Sequence, residues 1–137
     1  MPVASRLLWT LPATRPRRLP ATASRYAEAL RRHNHEWLVI LPDQEGALQR
    51  RVQHRSTHLA ELSKYPSDFI LVGGPYLGGP VQDDAPMDML GSVILVRAST
   101  REEALGELRK DIFARKAVWD FDQALVLPFK STIRKGM

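Results

Sequence analysis

No cysteine occurs anywhere in the 137 residues. That absence removes disulfides, thiolate nucleophiles and cysteine-ligated zinc together, and it is compatible with any compartment. Long apolar runs are missing as well. Trp37-Leu38-Val39-Ile40-Leu41 falls far short of the roughly 18 apolar residues that cross a bilayer, so no spanning helix is expected. Acidic residues are absent from Met1 to Ala27, and that absence changes how the net charge of +5 is read. Seven arginines and a single acid, Glu28, fall within residues 1–35; the remaining 13 basic and 14 acidic residues leave the rest at net −1. A near-neutral body carries no electrostatic case for binding a phosphate backbone, so nucleic acid is not an expected partner.

The N-terminal segment is rich in Arg, Ser, Thr, Ala, Leu and Pro, the composition of an organellar transit peptide. Arg6-Leu7-Leu8-Trp9 can form a short amphipathic turn, and Pro12, Pro16 and Pro20 forbid one continuous helix. Residues 1–35 are therefore read as a mitochondrial targeting segment, against the alternatives of a disordered basic tail and a cytoplasmic protein. Tyr26 to Arg32 is expected to form a helical turn at the boundary.

From residue 36 onward, apolar runs alternate with helical patterns. Trp37 to Leu41 reads as a first strand, ended by Pro42. Glu45 to Tyr65 reads as a helix whose Leu48, Val52, Leu59 and Leu62 recur with the 3.6-residue period and predict a core stripe. Asp43 is expected to cap it, with Glu45 in its first turn. Phe69 to Val72 reads as a second strand ended by a Gly73-Gly74-Pro75 turn, and a long loop runs on to Met89. Val93 to Val96 is a third strand, Ser99-Thr100-Arg101-Glu102-Glu103 a helix start, Asp111 to Trp119 a further helical piece, and Ala124 to Leu127 a last strand.

The order β-α-β-β-α-β predicts an α+β, ferredoxin-like sandwich with an antiparallel four-stranded sheet and both helices on one face. Strands apolar at nearly every position imply cover on both faces, and a second copy packed sheet against sheet supplies it. A homodimer is the expected assembly.

Several residue types invite chemistry. Histidine is the side chain that titrates nearest neutrality, and His58 sits among apolar neighbours on the first helix. A half-buried structural histidine is the bland alternative. His54 and His58, four apart, could grip a metal, but no further ligand set accompanies them and no metal site is expected. His33 and His35 read as lying outside the fold. Arg51 and Arg55 could hold an anion, or could be solvated helix arginines. Gly78-Gly79-Pro80, like the earlier glycine pair, lacks the following helix and Lys-Ser/Thr of a phosphate loop. Asp83, Asp84 and Asp88 match no calcium loop and read as a solvated acidic lid. Phe113 and Trp119 read as core or cleft wall.

Taken in order, these residues resemble the YCII-related domain family of the dimeric α/β-barrel group, over about residues 36 to 130. The resemblance rests on Arg55-Ser56-Thr57-His58-Leu59-Ala60-Glu61-Leu62, Leu71-Val72-Gly73-Gly74-Pro75, Gly91-Ser92, Ser99-Thr100-Arg101-Glu102-Glu103-Ala104, Asp111-Ile112-Phe113 with Val118-Trp119, and Leu127-Pro128-Phe129. It implies a monomer that dimerises through its sheet, followed here by a short tail, 131–137. It also implies a cleft in which His58 and Asp111 form a catalytic pair, lined by Ser92, Gly74 and Pro75; Arg55, read above as a possible anion holder, is expected to bind the substrate beside them. The implied activity is that of a small-molecule lyase or isomerase, without cofactor; the alternative is a non-catalytic dimeric ligand-binding or accessory module. A haem-binding relative in the same barrel group is a third possibility. The chain departs from the family pattern at Ile112, where proline is common, and at Ala117, where glycine is frequent.

Overall fold

The computed structural model describes residues 34–136. The expected transit segment, apart from its last two residues, and the expected turn at Tyr26 to Arg32 lie outside the described residues. Strand β1 (His35–Pro42), helix α1 (Leu48–Leu62), β2 (Ile70–Leu77), β3 (Met89–Ala98), helix α2 (Arg101–Leu108), a short helix α3 (Ile112–Arg115), a 3₁₀ turn (Phe121–Gln123) and β4 (Leu125–Phe129) follow one another. The four strands pair antiparallel in the order β2-β3-β1-β4, the α+β ferredoxin-like arrangement.

Alternation along the two central strands decides what the core contains. Val39, Leu41, Ile94, Val96 and Ala98 point to the helical face and are buried there with Leu108, Phe113, Val118 and Trp119. Several strands run longer than their apolar segments, because ladder hydrogen bonds do not depend on hydropathy. His35, expected outside the fold, opens β1 opposite Ala98. The Gly73-Gly74-Pro75 segment is not a turn but part of β2. Both β2 and β4 are edge strands, which is where Pro75 and Pro128 are tolerated. Gly91 is required in β3, since a Cβ there would lie 2.5 Å from the Leu41 carbonyl oxygen.

The largest correction concerns α1. Its apolar stripe does not enter the core: Leu48, Val52 and Leu59 are 45%, 60% and 48% exposed, while Arg51 and His58 are buried. Phe113, Trp119 and Leu108 fill the space against the sheet, and of α1 and its cap only Ala47 joins the apolar cluster. Asp43 does not cap this helix either. Ala47 does, without a side-chain bond and without an acid in the first turn, and Asp43 instead meets Arg51. The second helix starts within the expected Ser99 to Glu103 segment: Thr100 accepts from the Glu103 N–H, and the Glu103 carboxylate accepts from the Ser99 N–H.

Opposite the helices the sheet carries an apolar row running Leu127, Leu38, Leu95 and Val72 in register across all four strands. Val72, Leu125, Leu127 and Phe129 are exposed there. The segment after β4 lies at one margin of this face, held by Ser131, whose hydroxyl and backbone N–H both donate to Glu36. Those bonds, chiefly the hydroxyl's, hold the Glu36 carboxyl below the ordinary carboxylate range. Among the described residues no helix is long and apolar enough to cross a membrane.

Candidate functional site

Asp111 ends the turn after α2 with extended backbone and caps α3, its Oδ1 accepting the Phe113 N–H at 2.8 Å. A carboxylate at a cap needs a second partner when it is as buried as this one, at 1% exposure. His58 supplies it: Nδ1 lies 2.8 and 2.9 Å from the two carboxylate oxygens. A carboxylate only accepts, so Nδ1 carries the proton and the lone pair sits on Nε2. The imidazole is stacked on Phe113 at 3.9 Å between centroids and meets the Trp119 ring edge-on at 5.5 Å. One turn further along α1, Glu61 accepts from the Ile112 N–H at 2.7 Å and pairs with Arg115. The family's common proline at 112 could not make that bond.

Arg51 lies two helical turns before His58 on the same buried face. It is not a solvated arginine: only 3% exposed, it grips Asp43 with Nε at 2.6 Å and Nη2 at 2.7 Å. The same Nη2 donates to Ser92 Oγ at 2.9 Å, and the Trp119 indole N–H donates to that oxygen at 3.0 Å. Asp43, Arg51, Ser92 and Trp119 thus form one buried polar network beside the His58–Asp111 pair. The phenol of Tyr65, bonded to the Glu107 carbonyl, is pushed up to about 12 by burial first and by the nearby carboxylates of Asp111, Glu107 and Glu61.

A cleft opens between α1 and β2 over this network. Its walls include Arg55 and His58 of α1, Gly74 and Pro75 of β2, Ser92 of β3 and Phe113 of α3. About 80 Å³ is open to the centres of water-sized molecules. One water needs roughly 10–15 Å³ by comparison, so the cleft has room for more than one water, and it opens past exposed Arg55. All six residues expected at the site are therefore brought together, five along the cleft and Asp111 behind His58. Asp43 was not expected there, and Arg51 was expected only as an anion holder or a solvated helix arginine, not as the inward partner of Asp43 and Ser92. Their signal in the sequence was the Arg51 to His58 spacing of two helical turns, which hydropathy periodicity overlooks. Gly78, Gly79 and the exposed acids Asp83, Asp84 and Asp88 lie on a separate loop. Among the described residues no three His, Cys, Asp or Glu side chains converge as metal ligands, and the Nδ1 face of His58 is taken by Asp111.

Comparison with known proteins agrees with this architecture. The model of the YCII-related domain matches residues 36–130. Aspercryptin biosynthesis cluster protein B of Emericella nidulans is 30% identical over 102 residues, 73% of this chain and 65% of that protein. Fusaric acid biosynthesis protein 2 of Gibberella fujikuroi is 30% identical over 70% of this chain and 93% of its own length. An aspartate kinase of Fusarium oxysporum matches at 30% identity over only 18% of its length. Among solved structures, 5-chloro-2-hydroxyhydroquinone dehydrochlorinase from Burkholderia phenoliruptrix AC1100, in complex with 2,5-dihydroxybenzoquinone, superposes with a TM-score of 0.58. It is 31% identical, with 69% of this chain and 93% of that chain covered. The continuous match over the whole described sheet and its helices makes this chain a member of the YCII-related domain family.

Proposed function

We propose that this chain is a small-molecule lyase or isomerase in which His58 is the general base and Asp111 fixes its tautomer. The observation that carries the reading is the buried Nδ1 contact to both Asp111 oxygens, which leaves Nε2 as the basic nitrogen of a cleft-lining histidine. In an elimination, Nε2 takes a proton from a substrate O–H or C–H, the electron pair moves into the ring or chain, and an anion departs from the adjacent carbon. In an isomerisation the same proton is returned to a different carbon. The similarity to a dehydrochlorinase favours compact phenolic or quinonoid substrates. Chloride release from chlorinated hydroxyquinols, followed with an ion-selective electrode, tests this: His58→Ala should abolish turnover while leaving the assembly intact. A variant that turns over as fast as wild type would refute it.

The rival reading is a non-catalytic ligand-binding or accessory module, and the match to a small part of an aspartate kinase favours it. Under it, no chlorinated hydroxyquinol is consumed and His58→Ala lowers ligand affinity alone. The apolar row of Leu127, Leu38, Leu95 and Val72 supports a homodimer closed through the open sheet face. Val72→Lys should then halve the mass measured by light scattering. Residues 1–35 are proposed as a mitochondrial targeting segment, and a reporter fused after them that stays cytosolic would remove that claim.

A further inference from the structure

We infer that Ser92 is a hydrogen-bond donor reserved for the ligand, so that the molecule bound in the cleft places an acceptor oxygen, a carbonyl or an enolate or phenolate, against its hydroxyl. The argument is one of valence. A serine hydroxyl has two lone pairs and one proton. Arg51 Nη2 and Trp119 Nε1 both point at Ser92 Oγ, at 2.9 and 3.0 Å, and neither a guanidinium nor an indole nitrogen can accept a hydrogen bond. Both lone pairs are therefore engaged, and the only interaction left to Oγ is to give its own proton away. Among the described residues none accepts it, although Ser92 is 3% exposed and buried polar groups are as a rule paired. The residue lines the cleft with His58, and the cleft is the side of Ser92 where a free acceptor can arrive.

The network behind it strengthens this donor. Asp43 orients Arg51, and Arg51 places a positive charge on the hydroxyl oxygen, which makes the O–H a better donor through cooperative polarisation. Arg51 and Trp119 act through Ser92 and are positioning residues; Ser92 is the group that touches the ligand. This inference rests on the proposed base role of His58 and completes it: a proton leaves to His58 Nε2, and the negative charge left on the conjugated oxygen is met by Ser92. The substrate class is narrowed to compounds whose acidic C–H or O–H is conjugated with, or identical to, the oxygen that Ser92 faces.

The test uses the full chain and two probes of matched shape, 4-fluorophenol and fluorobenzene, with binding and ionisation read by fluorine NMR. The wild type should bind 4-fluorophenol at least tenfold more tightly than fluorobenzene and lower the apparent pKa of the bound phenol. Ser92→Ala should lose about tenfold in phenol affinity with no change for fluorobenzene, and Ser92→Thr should recover the phenol preference. His58→Gln should keep that preference while losing any turnover, which separates the two roles. Equal binding of both probes to wild type would overturn the Ser92 assignment yet leave the His58 reading standing. Failure of both probes to bind would overturn the cleft as a small-molecule site and both readings with it. Because the two-probe comparison is made on wild type, it decides the matter even if Ser92→Ala does not fold.

Discussion

Replacing Asp111 by Asn keeps the shape of the side chain and reverses one direction of hydrogen bonding. In the wild type the carboxylate accepts from the Phe113 N–H at 2.8 Å and from His58 Nδ1 at 2.8 and 2.9 Å. In the variant the amide oxygen can still take the Phe113 N–H, which keeps the α3 cap, so the NH₂ group must face the imidazole. An NH₂ group cannot accept from Nδ1–H, so the histidine must adopt the Nε2–H tautomer, and the basic lone pair leaves the cleft. Two charge-assisted bonds of about 1.5–3 kcal/mol become neutral ones of about 0.5–1.5 kcal/mol, a loss of roughly 2–3 kcal/mol. At ~4–8 °C per kcal/mol for a domain of this size, the melting temperature falls by about 8–24 °C at fixed protein concentration. Turnover falls by the ~10²–10⁴ that a positioned base contributes. Long-range proton–nitrogen correlation spectra of the imidazole distinguish the two tautomers directly. An Nδ1–H tautomer persisting in Asp111→Asn, or a catalytic rate unchanged by the substitution, would refute this account of how the pair works.

Three further outcomes follow from other contacts. Arg51→Met leaves the Asp43 carboxylate buried without its cation and should cost about 3–5 kcal/mol by urea denaturation; adding Asp43→Asn should recover part of that loss, and strict additivity would contradict the pairing. Ala117 holds φ at +52° where α3 ends, with the Val118 N–H reaching back to the Phe113 carbonyl and the Ala117 N–H to that of Ala114. Relief of a left-handed strain of roughly 1–2 kcal/mol, less glycine's entropic cost, should make Ala117→Gly about 0.5–1 kcal/mol more stable, with an unchanged denaturant slope. For Tyr65 the fold favours the neutral phenol, so its contribution to stability is whole below the ordinary value of 10.0 and is lost as pH rises through about 12. An ultraviolet titration should show a late phenolate step that Tyr65→Phe removes.

The order of strands and helices was legible because each strand contains a compact apolar run and helix limits carry local marks, as at the start of α2 at Thr100 with Glu103 or the end of α1 before Pro66. Such signals are local, and local geometry reads them out without knowledge of neighbours. The pairing of His58 with Asp111, 53 positions apart, came through the family resemblance rather than from spacing, since nothing in the chain's periodicity joins α1 to the cap of α3. Strand limits were misjudged at Gly73-Gly74-Pro75 because a glycine pair and a proline look like a turn until the strand is known to be an edge.

What the sequence determined by itself was a ferredoxin-like order of elements, a near-neutral body behind a basic N-terminal segment, and a chain without thiol chemistry. Tertiary structure alone decided which side of α1 faces inward. Hydropathy ranks Leu48, Val52 and Leu59 above Arg51 and His58 for burial, and an isolated helix would bury them. In the fold, Phe113, Leu108 and Trp119 already fill the sheet's helical face, while the Asp43 and Asp111 carboxylates accept hydrogen bonds there from Arg51 and His58. A buried arginine and a buried histidine are tolerable only when partners distant in sequence complete their hydrogen bonds, and whether those partners arrive is a property of the packed molecule.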